Sequence, residues 1–468
     1  MTVIDKLEPV HGGIAAPARN PATAEFIETL RLALPIALTQ LGQIAMMTTD
    51  LALIGRLGDN AVAAASLAHT VFFVAFVIGM GLVSAVAPLA AQAFGARQPR
   101  TVRRALRVGL WAALMLCVPM SLLPLFGEQI LLALGQAPDN ARLAQHYLLG
   151  LTPGMAPALC FMAIRNFMGA VNRPEPGLWI TLAAIPANAV LGYALIHGHW
   201  GMPKLELLGA GVATTTVNFG MCAAALWFAI RQRPFKKFQV LERFWLIDWP
   251  LMRQLVVIGG PIAMSFLLEY GLFSAAGLLM GVISTTALAA HQIALQIAAI
   301  LFMVPFGIGM AATVRVGQAL GRGDTTGIRR AGVVATILGI VFMTVMTLVV
   351  ILGRFEVAGF FFGETRQGMA AVELAAMLMM VGATFFIADG IQTVAAGALR
   401  GLSDTRIPLL LAAISYWVIG FPAAYGLAFW TGLGAVGVWI GLSIGTGIYA
   451  VLLMLRFRAL TRRLEFAA

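Results

Sequence analysis

An α-helix that crosses the hydrocarbon core of a bilayer needs about 20 consecutive apolar residues. This chain contains twelve such runs, near residues 32–54, 66–91, 106–126, 144–164, 177–197, 208–230, 254–281, 287–313, 331–353, 370–398, 407–429 and 433–456. Each run is continuously apolar, without the period-two alternation of a barrel strand, so a closed β-barrel is excluded. Hydrophobic residues make up 60% of the 468 and charged residues 11%, against about 25% charged in an ordinary soluble domain. So few charges cannot coat a water-soluble globule of this size, and the same figures exclude disorder. Cys117, Cys160 and Cys222 are odd in number and lie in apolar stretches, which argues against a disulfide scaffold. The expected fold class is an all-α integral membrane protein with twelve transmembrane helices.

An even number of spans returns both termini to one side. The bases decide which side, because cytoplasmic loops are enriched in Lys and Arg. With both termini in the cytoplasm, only Arg56, Arg142, Lys204, Arg354 and Arg366 of the 31 bases fall in outside loops. That bias supports the number of spans and their orientation together. The net charge of +11 does not imply nucleic acid, because short basic clusters punctuate apolar runs and form no basic face with interleaved aromatics. The opening MTVIDKLEPVHGG carries no apolar core behind its charges, so no cleavable signal peptide is expected.

The two halves repeat at an offset of 226 residues. PIALTQLGQ at 35–43 lies over PIAMSFLLE at 261–269, and QAFGARQPRTVRRALRV at 92–108 over QALGRGDTTGIRRAGVV at 318–334. Six spans plus six of the same topology give two parallel, pseudo-symmetric six-helix bundles, an arrangement that carriers use for alternating access. The expected organisation is a cytoplasmic tail at 1–30, an N-lobe at 31–230, a basic linker at 231–253, a C-lobe at 254–456 and a cytoplasmic tail at 457–468.

Among the twenty acids, three lie well inside apolar runs: Asp50 in span 1, Glu269 in span 7 and Asp389 in span 10. No Lys or Arg lies comparably deep in the runs. A charge at mid-bilayer costs at least about 2.5–3.5 kcal/mol on insertion scales, and such residues face the interior or an aqueous cavity. Carboxyls without a fixed cation invite a travelling one: a proton, a hard metal ion such as sodium, or a positively charged solute. Other polar residues share these spans. Gln40 and Gln43 precede Asp50, Asn188 lies in span 5, and His291, Gln292 and Gln296 open span 8. His291 reads more readily as a structural, hydrogen-bonded histidine than as a ligand. Pro35, Pro186, Pro261 and Pro305 interrupt spans, where they bend the helix or free carbonyls.

Other chemistries find little support. GLSIG at 441–445 fits G-x-S-x-G formally, but that motif needs a strand–turn–helix elbow. The wider stripe Gly437, Gly441, Gly445 reads as a face for close helix packing. GRGDTTG at 321–327 lacks the P-loop lysine, and no HExxH or other metal-ligand cluster occurs. Nothing resembles a selectivity filter. An intramembrane enzyme and a channel are therefore weaker readings than a carrier, and no cofactor is expected.

Several segments resemble the multidrug and toxic compound extrusion (MATE) family, in its NorM-like bacterial branch. They are LEYGLFSAAGLLMG at 268–281, AAHQIALQI at 289–297, FIADGIQTVAAGALRGLSDTRIP at 386–408, AIRNFMGAVNRPEPG at 163–177 and the two QA[FL]G loops. The resemblance covers the chain past residue 30. It implies two six-helix lobes facing each other across a central cavity, and export of organic cations driven by H+ or Na+. It implies that Glu269 and Asp389 are coupling-ion acids, with Asp50, Gln43 and Asn188 as the polar set of the N-lobe; Glu269 and Asp389 would ligate a metal only if that ion is Na+. Two positions depart from some relatives. Ala184 stands where they have a second Asn, and Phe385 where they have a Tyr one turn before the span 10 acid. Each removes an oxygen and leaves proton coupling open. The expected partners are membrane lipid and organic cations, the expected state a monomer, and the expected location a bacterial inner membrane. The alternative is a lipid-linked sugar flippase of the same superfamily; those typically present cationic residues to a pyrophosphate, whereas the deep charges here read as acidic.

Overall fold

The computed structural model describes residues 20–240, 242–361 and 366–467. Lys6 and Arg19, assigned to the N-terminal tail, lie outside the described residues, as does the side chain of Arg366.

The spans are helices in the order expected. Span 1 is Pro21–Gly55, span 2 Asp59–Gly95, span 3 Pro99–Leu125, span 4 Pro138–Ala170, span 5 Glu175–His197 and span 6 Glu206–Arg231. Span 7 is Trp249–Ile283, span 8 Thr285–Gly321, span 9 Thr325–Leu352, span 11 Arg406–Phe429 and span 12 Gly434–Glu465. Span 10 is broken: Met369–Val381 and Ala383–Gly401 meet at 50°. Gly382 sits at the break, where a Cβ would lie 2.8 Å from the Trp439 ring and 2.9 Å from the Leu378 carbonyl oxygen. Any side chain there would be overpacked.

Side-chain caps start several spans. Asn20 accepts from the amide of Ala22 at 3.1 Å, Asp248 from Leu251 at 3.2 Å, Ser284 from Ala287 at 3.0 Å and Asp324 from Gly327 at 2.7 Å. Helix 1 begins about three turns before the apolar run, and a polar contact ties the extension down: Arg315 makes a bidentate pair with Glu25 at 2.7 and 2.8 Å. Helices run through Pro35, Pro186, Pro261 and Pro305. Thr39 donates to the Pro35 carbonyl at 2.7 Å and Ser265 to the Pro261 carbonyl at 2.9 Å, the same contact at the same repeat position.

The glycine stripe of span 12 packs on span 11. A Cβ at Gly441 would lie 2.2 Å from the Ala424 amide nitrogen, and one at Gly445 would lie 2.9 Å from the Cα of Gly420. Opposite that stripe, residues Ala413–Gly420 of span 11 form a π-helical stretch, a local widening often found where a helix presents functional groups.

The lobes meet where spans 2 and 8 end. A Cβ at Gly95 would lie 2.1 Å from the Gln318 carbonyl oxygen, and one at Gly321 would lie 2.0 Å from that of Gln92. Beside this contact, Gln92 donates from Nε2 to the Gly401 carbonyl at 2.8 Å and to Ser403 Oγ at 2.9 Å. Gln318 donates from Nε2 to the Ala170 carbonyl at 2.9 Å and to Asn172 Oδ1 at 3.0 Å. This end also carries the linker. Arg103 pairs with Glu242, Arg104 with Asp248, Arg456 with Asp404 and Arg329 with Glu465. All of these pairs join segments that parity places on one side of the membrane, and we refer to it as the basic end.

Candidate functional site

Two polar clusters are built into the spans, one in each lobe. The C-lobe cluster contains both acids singled out there. Gln392, one turn past Asp389 on the same face of span 10, donates from Nε2 to Asp389 Oδ1 at 2.9 Å and to Glu269 Oε1 at 2.9 Å. Two legs of 2.9 Å hold these carboxylate oxygens no more than 5.8 Å apart. Tyr416, from the π-helical stretch, donates to Gln392 Oε1 at 3.1 Å. That bond aims the amide so that its NH2 faces the acids. An amide has two N–H donors and two carboxylates have four oxygens, so acceptor capacity in the cluster exceeds what Gln392 supplies. Asp389 and Gln392 are buried, and Glu269 is half-buried beside them. Two carboxylates at this spacing repel when both are charged, and a proton or cation between them removes the repulsion.

Glu269 also lines a small cavity of about 20 Å³ with Gln392, Arg400, Tyr416 and Tyr449. This corrects the expectation that no base lies deep. Arg400 was assigned to a cytoplasmic segment, but span 10 continues to Gly401 and the side chain turns inward, its guanidinium 4.9 Å over the Phe266 ring. A long stem lets an arginine at a helix end carry its charge about a turn into the protein. Arg165 does the same in the N-lobe: it is buried and donates to Gln40 Oε1 at 2.9 Å. Neither Glu269 nor Asp389 forms an ion pair within 4.0 Å among the described residues.

In the N-lobe, Asp50 is buried and both its oxygens are held. Asn188 Nδ2 donates to Oδ1, and Thr214 Oγ1 donates to Oδ2 at 3.0 Å. Asn188 Oδ1 is buried without a hydrogen-bond partner among the described residues, which leaves an acceptor oxygen next to the acid. Gln40 is engaged with Arg165 and does not reach Asp50. Gln43 is half-buried and occupies the repeat position of Glu269.

The remaining candidates lie elsewhere. His291 is fully buried, but the expected hydrogen bond is missing: neither ring nitrogen has a partner among the described residues, and the ring packs edge-on to Trp439 at 5.8 Å. Gln292 and Gln296 are exposed and join neither cluster. Phe385 is buried against Phe273, Phe386 and Trp439, with ring centroids 5.5 to 6.0 Å away, so it serves the core of the C-lobe. Gln392, Tyr416, Thr214 and Arg400 were missed as site residues. Gln392 had a signal, a second polar residue at i+3 from an intramembrane acid; the other three are unremarkable until the helices are packed.

Twelve spans in two related lobes, each with a polar cluster built on an intramembrane acid, define a multi-pass membrane transporter. The chain belongs to the MatE family, whose model matches residues 35–194 and 261–426, two segments that start 226 residues apart. It is 61% identical over 464 residues to a probable multidrug resistance protein NorM of Bradyrhizobium diazoefficiens, covering 99% of this chain and 100% of that one. A multidrug resistance protein NorM of Burkholderia vietnamiensis is 40% identical over 97% of this chain and 98% of its own. The crystal structure of a eukaryotic MATE transporter superposes with a TM-score of 0.85 at 22% identity, covering 96% of this chain and 100% of that one. A Vibrio cholerae MATE transporter superposes with a TM-score of 0.84 at 18% identity, over 95% and 99%. The family is one of transporters, not enzymes.

Proposed function

We propose that this protein is a secondary active antiporter that exports organic cations from a bacterium across its inner membrane in exchange for H+ or Na+. The observation that carries this reading is the shared Gln392 bridge, which holds Glu269 and Asp389 close together with acceptor oxygens to spare and no ion-pair partner within 4.0 Å among the described residues. The names of the relatives supply the multidrug class, and an acidic site flanked by Phe302, Phe306 and Phe266 suits a cation with apolar substituents.

In the proposed cycle, the coupling ion binds at Glu269 and Asp389 when the cavity faces outward. Neutralising the acids removes their attraction for a bound organic cation, which leaves. The lobes, residues 31–230 and 254–456, then rock so that the ion is released inward and the re-exposed carboxylates take up new substrate. Asp50 with Asn188 forms the second acidic position, in the N-lobe. Gln43, at the repeat position of Glu269, would join that N-lobe polar set. The distribution of bases supports a cytoplasmic location for both termini. Arg400 balances part of the charge near Glu269 without pairing to it, and its place is that of a neighbour that tunes ion release. One proton exchanged for one monovalent cation moves no net charge, so the ion gradient alone would drive it. A second ion per cycle would add about 2.3 kcal/mol per 100 mV of membrane potential.

The test is efflux of a fluorescent organic cation from proteoliposomes with pH and sodium gradients imposed separately. Either gradient is expected to drive saturable exchange, and Glu269→Gln or Asp389→Asn to stop it. Efflux that persists in both variants overturns the proposal.

A further inference from the structure

The linker gives one lobe what the other lacks. At the basic end of the N-lobe it plugs the crevice between spans 3, 4 and 6. Arg103 pairs with Glu242, Arg107 donates to the Glu242 and Arg243 carbonyls at 3.3 and 3.1 Å, and Trp111 Nε1 donates to the Phe244 carbonyl at 2.8 Å. Phe235 and Phe238 pack against Phe167 of span 4, with ring centroids 6.0 and 5.7 Å away.

The repeat offset carries Arg103, Arg107 and Trp111 onto Arg329, Val333 and Ile337. These three line a cavity of about 270 Å³ between spans 9, 10 and 12, the C-lobe counterparts of spans 3, 4 and 6. On span 10 the wall is Ala395 and Ala398. Asn172 and Ser403, the two acceptors of the interlobe glutamines, correspond at an offset of 231, and that register puts Ala398 where Phe167 stands. The C-lobe therefore carries the same crevice with smaller walls and no plug from the described chain.

The chemistry of the crevice is amphipathic. Arg329, Arg458 and Arg462 stand at its mouth, all exposed. Arg329 has Glu465 at 3.6 Å, while Arg458 and Arg462 have no acid within 4.0 Å among the described residues. Behind them the lining is apolar, with Met454 and Phe457 inside and Val333 and Ile337 45% and 54% exposed along the outer edge. Basic pockets between spans at a cytoplasmic surface bind anionic headgroups. We propose that this crevice is a site for one anionic phospholipid of the cytoplasmic leaflet, its phosphate held by the three arginines and an acyl chain lying along Val333 and Ile337. Glu465 already stands beside Arg329 as Glu242 stands beside Arg103, so the lipid phosphate shares Arg329 and takes the two arginines left without an acid among the described residues, Arg458 and Arg462. A soluble phosphate would use the arginines and leave the apolar edge bare, and a zwitterionic headgroup would bring a cation among three others.

The test is native mass spectrometry of the full-length protein titrated with phosphatidylglycerol and, separately, phosphatidylcholine. One phosphatidylglycerol is expected to be retained in preference to phosphatidylcholine. Arg458→Gln and Arg462→Gln should each weaken its retention by about fivefold, the effect of about 1 kcal/mol per arginine, and adding Arg329→Gln should abolish the preference. Ala398→Phe, which restores the counterpart of Phe167, should expel the lipid without a change of charge; if it fails to fold, the exposed glutamine variants decide. Arg231→Gln and Arg233→Gln, bases of the linker region remote from the crevice, should change nothing. Equal retention of both lipids, or unchanged retention by the triple variant, overturns the proposal. So does displacement by millimolar glycerol 3-phosphate, which would show a phosphate site without a lipid. A shift in oligomeric mass at constant lipid count would assign the crevice to a second copy of the chain.

Discussion

Gln92 and Gln318 occupy one position in the two repeats and tie the lobes together in opposite directions. Each reaches out of its own lobe to a backbone carbonyl and a side-chain oxygen at the end of a span in the other, Gln92 to Gly401 and Ser403, Gln318 to Ala170 and Asn172. Beside them, Gly95 and Gly321 let the backbones of spans 2 and 8 approach too closely for any Cβ. The basic end is thus closed by a symmetric latch, and a carrier has to open it to expose its site on that side.

A hydrogen bond contributes about 1 kcal/mol net, so removing one end of the latch should shift the opening equilibrium by about fivefold per bond lost. In Gln92→Ala/Gln318→Ala, the population open at the basic end is expected to rise. Spin labels at Arg100 and Thr326, placed in a background without Cys117, Cys160 and Cys222, would report it as a new long-distance component. An unchanged distance distribution would show that the glycine contact alone holds the lobes.

Gln392 is the bridge on which the C-lobe cluster depends. Gln392→Leu removes the donor shared by Glu269 and Asp389 and leaves the Tyr416 hydroxyl without its acceptor. Each buried group so stranded costs about 1–3 kcal/mol. Efflux of a fluorescent cation is expected to fall at least about fivefold, the lower end of that range, with the protein still monodisperse. Full efflux in this variant would show that the two acids do not act as a unit.

Asp248 lies outside the spans and caps span 7. The Arg104 guanidinium bonded to it holds its carboxyl below the usual carboxylate range. A depressed folded value stabilises linker docking above the ordinary value of about 3.9 and loses that contribution as pH falls through the folded value. Docking should therefore be indifferent to pH near neutrality and loosen in strong acid. Hydrogen exchange over residues 235–246, corrected for intrinsic rates, is expected to show it. At neutral pH, Asp248→Asn should speed tryptic cleavage after Lys237 and Arg243.

Gly441 faces span 11 with no room for a side chain, since a Cβ would sit 2.2 Å from the Ala424 nitrogen. Gly441→Leu should force spans 11 and 12 apart, at about 1–3 kcal/mol or more, and displace Tyr416 from Gln392. A lowered melting temperature is expected together with lost transport. A variant of normal stability would show that the stripe is not a packing face.

Much of the fold was legible because membrane insertion imposes a length and a hydropathy on each span that no other constraint masks. The repeat was legible because the Gln–Ala–x–Gly loops and Arg–Arg–Ala runs survive at a constant offset. Acids were conspicuous against oil. The amide and hydroxyls that hold them were not, because Thr214 and Tyr416 look ordinary in an apolar run and their partners are 164 and 24 residues away. Arg400 was misplaced because sequence gives the depth of a Cα and not the direction of a long side chain. The linker read as a tether, and only folding shows that its aromatics fill a crevice. His291 read as hydrogen-bonded because a buried imidazole usually is; Trp439 takes up one side instead.

The central claim is that ion and organic cation compete for the carboxylates that Gln392 joins. It is tested most directly by equilibrium binding of tetraphenylphosphonium to the purified protein, across pH at fixed sodium and across sodium at fixed pH. Affinity is expected to fall as protons or sodium ions are added, and that dependence to vanish in Glu269→Gln/Asp389→Asn. Wild-type affinity that is indifferent to both ions would contradict the account.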